Sequence, residues 1–285
     1  MSFMKPSLIQ AYGSYEIPDM IQRLFQLSHS LAAQGIDMSM IGFRMEDSYF
    51  AYSITPPDLI PFASTGGDGI HFGFLTEFGR ISRLEEASIV CVTPTDDPPI
   101  RLMARNLQEF LDLIVSVHHV ETLERWWAYK GLNQPPWEEE AWADDTPLWL
   151  QEHHQVIQEA LKQHFGAAPR PVLPYFQEIL LERQQNCAID TSDGLGIAGS
   201  PAASAGRYPF RDGCPEDEAE LQRMSAFFMT SCLEEKLAML RDLNFRYVHD
   251  AMGPPSPVFE LMQQFLLSLG LQAEADRMFV IDRFE

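Results

Sequence analysis

At 285 residues, with 46% hydrophobic and 11% aromatic residues, the chain has a composition that can bury a sizeable core and that argues against general disorder. Twenty basic residues against 41 acidic ones give a formal net charge of −21, which repels nucleic-acid phosphates and speeds encounter with a basic partner, although it also serves solubility alone. No apolar stretch is long enough for a membrane span or a signal peptide, so we expect a cytoplasmic protein without a membrane contact.

The N-terminal third combines helical and strand patterns. Apolar residues recur at helical spacing and predict a helix over residues 17–33, which Gly35 ends. Two short strands are predicted next, near residues 38–44 and 49–54.

The most informative stretch follows. A Pro-rich segment that includes Pro61 leads to a turn formed by Gly66, Gly67, Asp68 and Gly69. Glycine reaches backbone angles closed to other residues, and an aspartate can bond its own backbone in such a turn. A strand is predicted directly after this turn, over residues 70–75.

Two more strands and a helix complete this part of the chain. The strands are predicted over residues 89–93 and 100–103. The helix is predicted over residues 106–117, with Asn106 as its N-cap and Glu109 placed to return the capping bond.

The Pro-rich approach to a Gly-Gly turn, after a helix and strands, resembles the signature of the SUKH superfamily. That family is named after a fungal regulator of glucan synthesis and is abundant among bacterial toxin-immunity proteins. The run Asn-Leu-Gln-Glu-Phe-Leu at residues 106–111 is similar to the family's closing helix. The resemblance covers residues 10–120 and implies an α+β unit, a SUKH-like sheet with flanking helices. It also implies an interaction protein and supplies no catalytic residue.

Helical patterns dominate beyond residue 120. They predict helices over residues 122–129, Leu148–Phe165, Val172–Gln185, 216–243 and 257–269. We therefore expect a mainly helical C-terminal extension over residues 121–285, either packed on the α+β unit of residues 10–120 or forming a second domain. A loop rich in Gly, Ala, Ser and Pro interrupts it at residues 190–213.

Three patterns could carry chemistry, and a structural interpretation is favoured for each. Residues 194–199 match G-x-G-x-x-G but lack the preceding strand and following helix of a dinucleotide site, so a flexible loop and no cofactor are expected. The histidine pairs at 118–119 and 153–154 lack zinc-ligand spacing, and the four widely spaced cysteines form no Cys-x-x-Cys pair, so no metal site and reduced thiols are expected. A small hydrolase using Asp68 and His71 remains an alternative, with Ser64 or Thr65 as the local nucleophile.

The strongest binding candidate is an acidic segment rich in tryptophan. Its residues are Trp137, Glu138, Glu139, Glu140, Trp142, Asp144, Asp145 and Trp149. No basic residue occurs between Lys130 and Lys162. Tryptophan is enriched among the anchor residues of protein interfaces, and acidic side chains can pair with a basic surface, so this segment could bind a partner. The alternative is a connector whose tryptophans pack on the rest of the protein and whose acids face water.

Together these patterns predict a non-enzymatic protein-binding module with a basic protein partner. The sharpest version is an immunity protein that neutralises a toxin domain by stoichiometric binding. The alternatives are the small hydrolase and a housekeeping regulatory or scaffold protein. Composition and spacing leave the oligomeric state open.

Overall fold

The fold is known from a computed structural model, which describes residues 3–132, 146–200, 206–210, 217–247 and 256–278. Within these residues, antiparallel strands form one larger and one smaller sheet, and helices surround them. The chain is of the mixed α+β class.

The strands follow one another along the sheet in chain order, so the larger sheet is an antiparallel meander, β1-β2-β3-β4-β5. Its strands are β1 (Arg44–Met45), β2 (Leu59–Ser64), β3 (His71–Leu75), β4 (Ser88–Val92) and β5 (Ile100–Ala104). The smaller sheet pairs β6 (Cys187–Ile189) with β7 (Ile197–Ala198).

Along the chain, the described helices occur before β1, between β5 and β6, and after β7. They are α1 (Pro6–Ala11), α2 (Asp19–Ala32), α3 (Leu107–Ile114), α4 (Thr122–Ala128), α5 (Leu148–Phe165), α6 (Val172–Gln185), α7 (Glu218–Thr230), α8 (Leu233–Tyr247), α9 (Pro257–Ser268) and α10 (Gln272–Arg277). Two 3₁₀ helices span Met38–Ile41 and Leu84–Glu86. Among the described helices, none combines the length and apolarity that crossing a bilayer requires.

The predicted strands at residues 70–75, 89–93 and 100–103 are confirmed as β3, β4 and β5. The two predicted near residues 38–44 and 49–54 are wrong. The Asp37 carboxylate accepts the Ser39 N–H at 2.8 Å and caps a 3₁₀ helix, which leaves only Arg44–Met45 as strand. Residues 49–54 form no strand, and the strand that pairs with β3 is β2.

β2 was missed because Pro61 lies inside it. Proline has no N–H to donate, so a proline argues against a strand in a sheet interior. Here β1 pairs only with Ala63 and Ser64, and the register between β2 and β3 shifts between Pro61 and Ala63. Pro61 therefore lies next to a bulge, in the part of β2 that β1 does not pair with, a position in which a sheet tolerates proline.

The two helices expected to pack on the sheet do so. α2 contacts β1, and α3 contacts β4 and β5. The N-cap of α3 is confirmed, since Asn106 Oδ1 accepts the Glu109 N–H at 2.9 Å. The Glu109 carboxylate does not return the bond; it accepts from the Tyr175 hydroxyl at 2.6 Å and from Arg105.

The core that contains the sheet extends beyond residue 120. Ile157 and Leu161 of α5 and Phe176 of α6 are fully buried in the same apolar cluster as Phe72 and Phe110. α5 and α6 thus contribute side chains to the core that contains the sheet.

A second apolar cluster contains side chains of the four helices α7, α8, α9 and α10 and of the small β6–β7 sheet. It also includes Phe78, which follows β3. The single helix predicted over residues 216–243 is two helices, α7 and α8. Glu235 accepts the backbone N–H of Cys232 at 2.9 Å, the return half of a capping box, and this starts α8 anew after Ser231.

The predicted loop at residues 190–213 begins as the connection of a hairpin, because β6 pairs with β7. The expectation that no strand precedes residues 194–199 is therefore wrong, since β6 ends at Ile189. The Asp193 carboxylate accepts from the Thr191 hydroxyl and the Leu195 N–H, while Thr191 Oγ1 accepts the Gly196 N–H at 2.8 Å. Arg183 of α6 donates to the carbonyls of Leu195 and Gly196 at 2.7 and 2.9 Å. Side-chain bonds therefore replace the packing that Gly and Ser cannot provide.

Candidate functional site

The β2–β3 turn has the backbone geometry that its glycines imply. Gly66 and Gly69 have φ of 93° and 70°, and Asp68 has 50°. A side chain at Gly69 would lie 2.6 Å from the Tyr52 ring, whereas Gly67 has open space and no positive φ. Gly66 and Gly69 are therefore required by conformation, and Gly67 is not. Pro61, in the Pro-rich approach to this turn, lies within β2.

His71 is a structural histidine. It is fully buried, with Nδ1 2.7 Å from the Gly69 carbonyl oxygen and Nε2 3.1 Å from Thr55 Oγ1. Because a carbonyl only accepts, Nδ1 carries the proton and Nε2 accepts from the Thr55 hydroxyl. Burial lowers the pKa of His71 to about 4, so the ring is neutral near pH 7.

The residues named for the hydrolase alternative lie on adjacent strands and in the turn between them, with Ser64 opposite His71 in the β2–β3 register, but the bonds of His71, Ser64 and Thr65 go to other groups. Asp68 is exposed at the turn, and both nitrogens of His71 are occupied by Gly69 and Thr55. The Ser64 hydroxyl donates to Glu46, and the Thr65 hydroxyl donates to the Gly67 carbonyl at 3.2 Å. None of these bonds joins Asp68 to His71, or the Ser64 or Thr65 hydroxyl to His71.

The acidic tryptophan segment is only partly within the described residues. Trp137, Glu138, Glu139, Glu140, Trp142, Asp144 and Asp145 lie outside them. Trp149, in the first turn of α5, is 54% exposed, and its neighbour Leu148 is 68% exposed. Trp149 packs edge-on against His153, with ring centroids 5.5 Å apart. Two large apolar side chains thus face solvent where this segment ends.

A groove of about 300 Å³ lies beside Leu148 and is lined by one face of α5 and by His118. Its polar side chains on α5 are Gln151, Glu152, His154, Gln155 and Gln158. His154 is buried and donates through Nε2 to the Met40 carbonyl at 2.6 Å. Burial lowers the pKa of His154, which favours the uncharged ring.

A larger groove, of about 560 Å³, lies next to β5 and α4. Arg101, which is 5% exposed, donates to Glu124 at 3.0 Å and to Asp96 at 2.8 Å. Burial raises the pKa of Glu124 to about 7, and Arg101 opposes this rise. The charges here are paired with one another, so we assign this cluster a structural role in holding α4 on β5.

The most buried charged cluster was not anticipated from the sequence. Arg241 of α8 is inaccessible to solvent and donates to Asp58, before β2, at 2.7 Å and to Asp193 at 3.4 Å. Glu77, after β3, lies 3.6 Å from Arg241 and also pairs with Arg183. Burial raises the pKa of Asp58 to about 6, against the lowering effect of Arg241. These residues join the two apolar cores through a desolvated ion network.

Among the described residues, no group of three or more His, Cys, Asp and Glu side chains is arranged to hold a metal ion. No known protein-family profile matches this chain. A comparison with curated proteins finds no similar sequence.

Proposed function

We propose that this chain is a non-enzymatic protein-binding module that takes a basic protein partner through its acidic tryptophan segment. The observation that carries the proposal is the exposure of Leu148 and Trp149, 68% and 54%, at the end of a stretch with no lysine or arginine from residue 131 to 161. Large apolar side chains exposed together are typical of interaction sites.

Charge and apolar contact have separate roles in such a site. A net charge of −21 increases the rate at which a basic partner is encountered. Tryptophan side chains that become desolvated slow dissociation, because they supply contact area at low conformational-entropy cost. The combination suits a protein that must capture its partner quickly and hold it.

The specific form of the proposal is a cytoplasmic SUKH-like immunity protein that masks a basic toxin domain by stoichiometric binding. The antiparallel meander, the turn at Gly66 and the closing helix α3 support this form, since they follow the order of elements that the resemblance implies. A housekeeping scaffold with the same surface would bind without neutralising a toxin. An adjacent toxin gene is expected only for the immunity role.

The decisive experiment is affinity capture from the native cell, followed by binding kinetics with the purified retained protein. In the segment variant, five acids are replaced by the matching amides: Glu138→Gln, Glu139→Gln, Glu140→Gln, Asp144→Asn and Asp145→Asn. This variant should associate with the partner more slowly, most visibly at low salt. Trp142→Ala should instead speed dissociation. If the amide variant associates at the wild-type rate, the acidic segment is not the binding surface.

A matched control removes the same charge from elsewhere. Five exposed acids in the N-terminal part are suitable: Glu16, Asp19, Glu85, Glu86 and Asp97. Their amide variant has the same net charge as the segment variant. A local binding surface predicts that the control slows association much less, whereas a purely global charge effect predicts equal slowing.

A further inference from the structure

The groove beside α5 offers hydrogen-bond acceptors. One side-chain N–H of Gln151 and one of Gln158 is used within the fold, since each amide donates to a backbone carbonyl, that of Thr146 at 3.0 Å and that of Val117 at 2.8 Å. Their amide oxygens receive no hydrogen bond from the described residues. The exposed Glu152 carboxylate, which also accepts, lies between them on the same helix.

Local charge favours a cation in this groove. Glu152 is the only Asp, Glu, Lys or Arg side chain among the described residues that line the groove, and burial lowers the pKa of His154, which favours its uncharged form. Leu148 borders the groove, and Trp149 stands three positions before Glu152, on the same side of the helix. An exposed indole can stack against a guanidinium ion.

We propose that this groove receives an arginine side chain of the protein partner, with Glu152 as its ion-pair acceptor and the oxygens of Gln151 and Gln158 as further acceptors. Arginine fits because its guanidinium group has five N–H donors and no acceptor, in a planar fork that matches a carboxylate. A lysine ammonium has three donors and no face to stack on an indole.

Charge also argues against a second copy of this chain as the occupant. Two molecules that each carry −21 repel each other as they approach. A basic partner removes that repulsion. This inference rests on the proposed function, which supplies the basic partner. It adds a position in the structure and the chemistry of one contact residue of the partner.

The test uses a pentapeptide with one central arginine between two leucines, titrated into the isotope-labelled full chain and followed by amide chemical shifts. Two control peptides carry citrulline, a neutral analogue of the same shape, or lysine. Glu152→Gln should lower the affinity for the arginine peptide about tenfold, which is the expected effect of losing a charge-assisted contact at an accessible site. Citrulline should weaken binding similarly in the wild-type protein, and lysine less.

Glu159→Gln is the matched control, because it removes the same charge from an exposed position of α5 outside the groove. It should change the affinity less than about twofold, as expected for an exposed charge away from the contact. The proposal is overturned if the two variants bind the arginine peptide equally, if citrulline binds as well as arginine, or if the shifts do not include Gln151 and Gln158.

These results are separable from the proposed function. If the captured partner binds the Glu152→Gln and Glu159→Gln variants equally, the arginine contact is wrong while partner binding stands. If the native cell yields no basic partner, the proposed function fails, and the peptide titration still decides what the groove binds.

Discussion

Replacement of Arg241 by methionine is the most severe single test of the fold. The side chain is inaccessible to solvent and holds carboxylates from three places in the chain: Asp58 before β2, Glu77 after β3 and Asp193 in the β6–β7 hairpin. Methionine fills much of the same space without the charge. The change therefore isolates the ion network from the packing around it.

The expected loss of stability is large because Asp58 would remain buried without a cation. Asp58 is fully buried, and its Oδ1 has no hydrogen-bond partner among the described residues even with Arg241 in place. Glu77 keeps Arg183 as a partner. Removing one member of a buried ion pair costs about 3–5 kcal/mol, a large part of the stability of an ordinary domain.

Urea unfolding monitored by far-UV circular dichroism and tryptophan fluorescence measures this loss. Adding Asp58→Asn to Arg241→Met should recover part of it, because the stranded charge is removed. Arg83→Met is the control, since Arg83 is 65% exposed and pairs with Glu85 at 3.6 Å; we expect a change within about 0.5 kcal/mol. A loss below about 1 kcal/mol for Arg241→Met would refute the role given to this network.

Two further predictions concern the β2–β3 turn. Burial lowers the pKa of His71 from 6.5 to about 4, so the stability that the neutral ring contributes is complete above pH 6.5 and is lost as the pH falls towards 4, by up to about 3 kcal/mol. His71→Gln should therefore flatten the pH dependence of the free energy of unfolding between pH 6.5 and 4. An unchanged slope in this variant would contradict the prediction. Gly66→Ala should destabilise by roughly 1 kcal/mol or more because φ is 93°, whereas Gly67→Ala should change the melting temperature little, and equal effects would show that the turn is misassigned.

The parts of the fold that sequence reasoning predicted are those with local signals. Helices α5 and α6 have the predicted bounds because each has an apolar stripe and a proline before its first residue, and α5 also has Gly166 after its last. The cap of α9 also follows the sequence, since Ser256 Oγ accepts the Phe259 N–H at 3.2 Å. Such interactions join residues three or four apart, and the sequence displays them directly.

What could not be predicted depends on contacts between distant residues. Arg241 and Asp58 are separated by 183 positions, and neither lies in a motif that indicates a partner. β2 was hidden by Pro61, which is tolerated only because the sheet has a bulge there. These features depend on tertiary pairing, which a local pattern does not encode.

The candidate site was half visible in the sequence. The lack of bases around Trp149 pointed to this end of α5, and Gln151, Gln155 and Gln158 recur on one helical face. The use of two of these amides by the carbonyls of Thr146 and Val117 is a property of the folded chain alone. The acceptor character of the groove was therefore inaccessible to sequence reasoning.

The central claim is that an acidic surface ending at Trp149 binds a basic protein. The most direct measurement is the association rate constant of the captured partner with the wild-type chain, the five-amide segment variant and its charge-matched control, over a series of salt concentrations. We predict that the segment variant associates more slowly and with a weaker salt dependence than the control. Equal rates for the two variants at every salt concentration would contradict the claim.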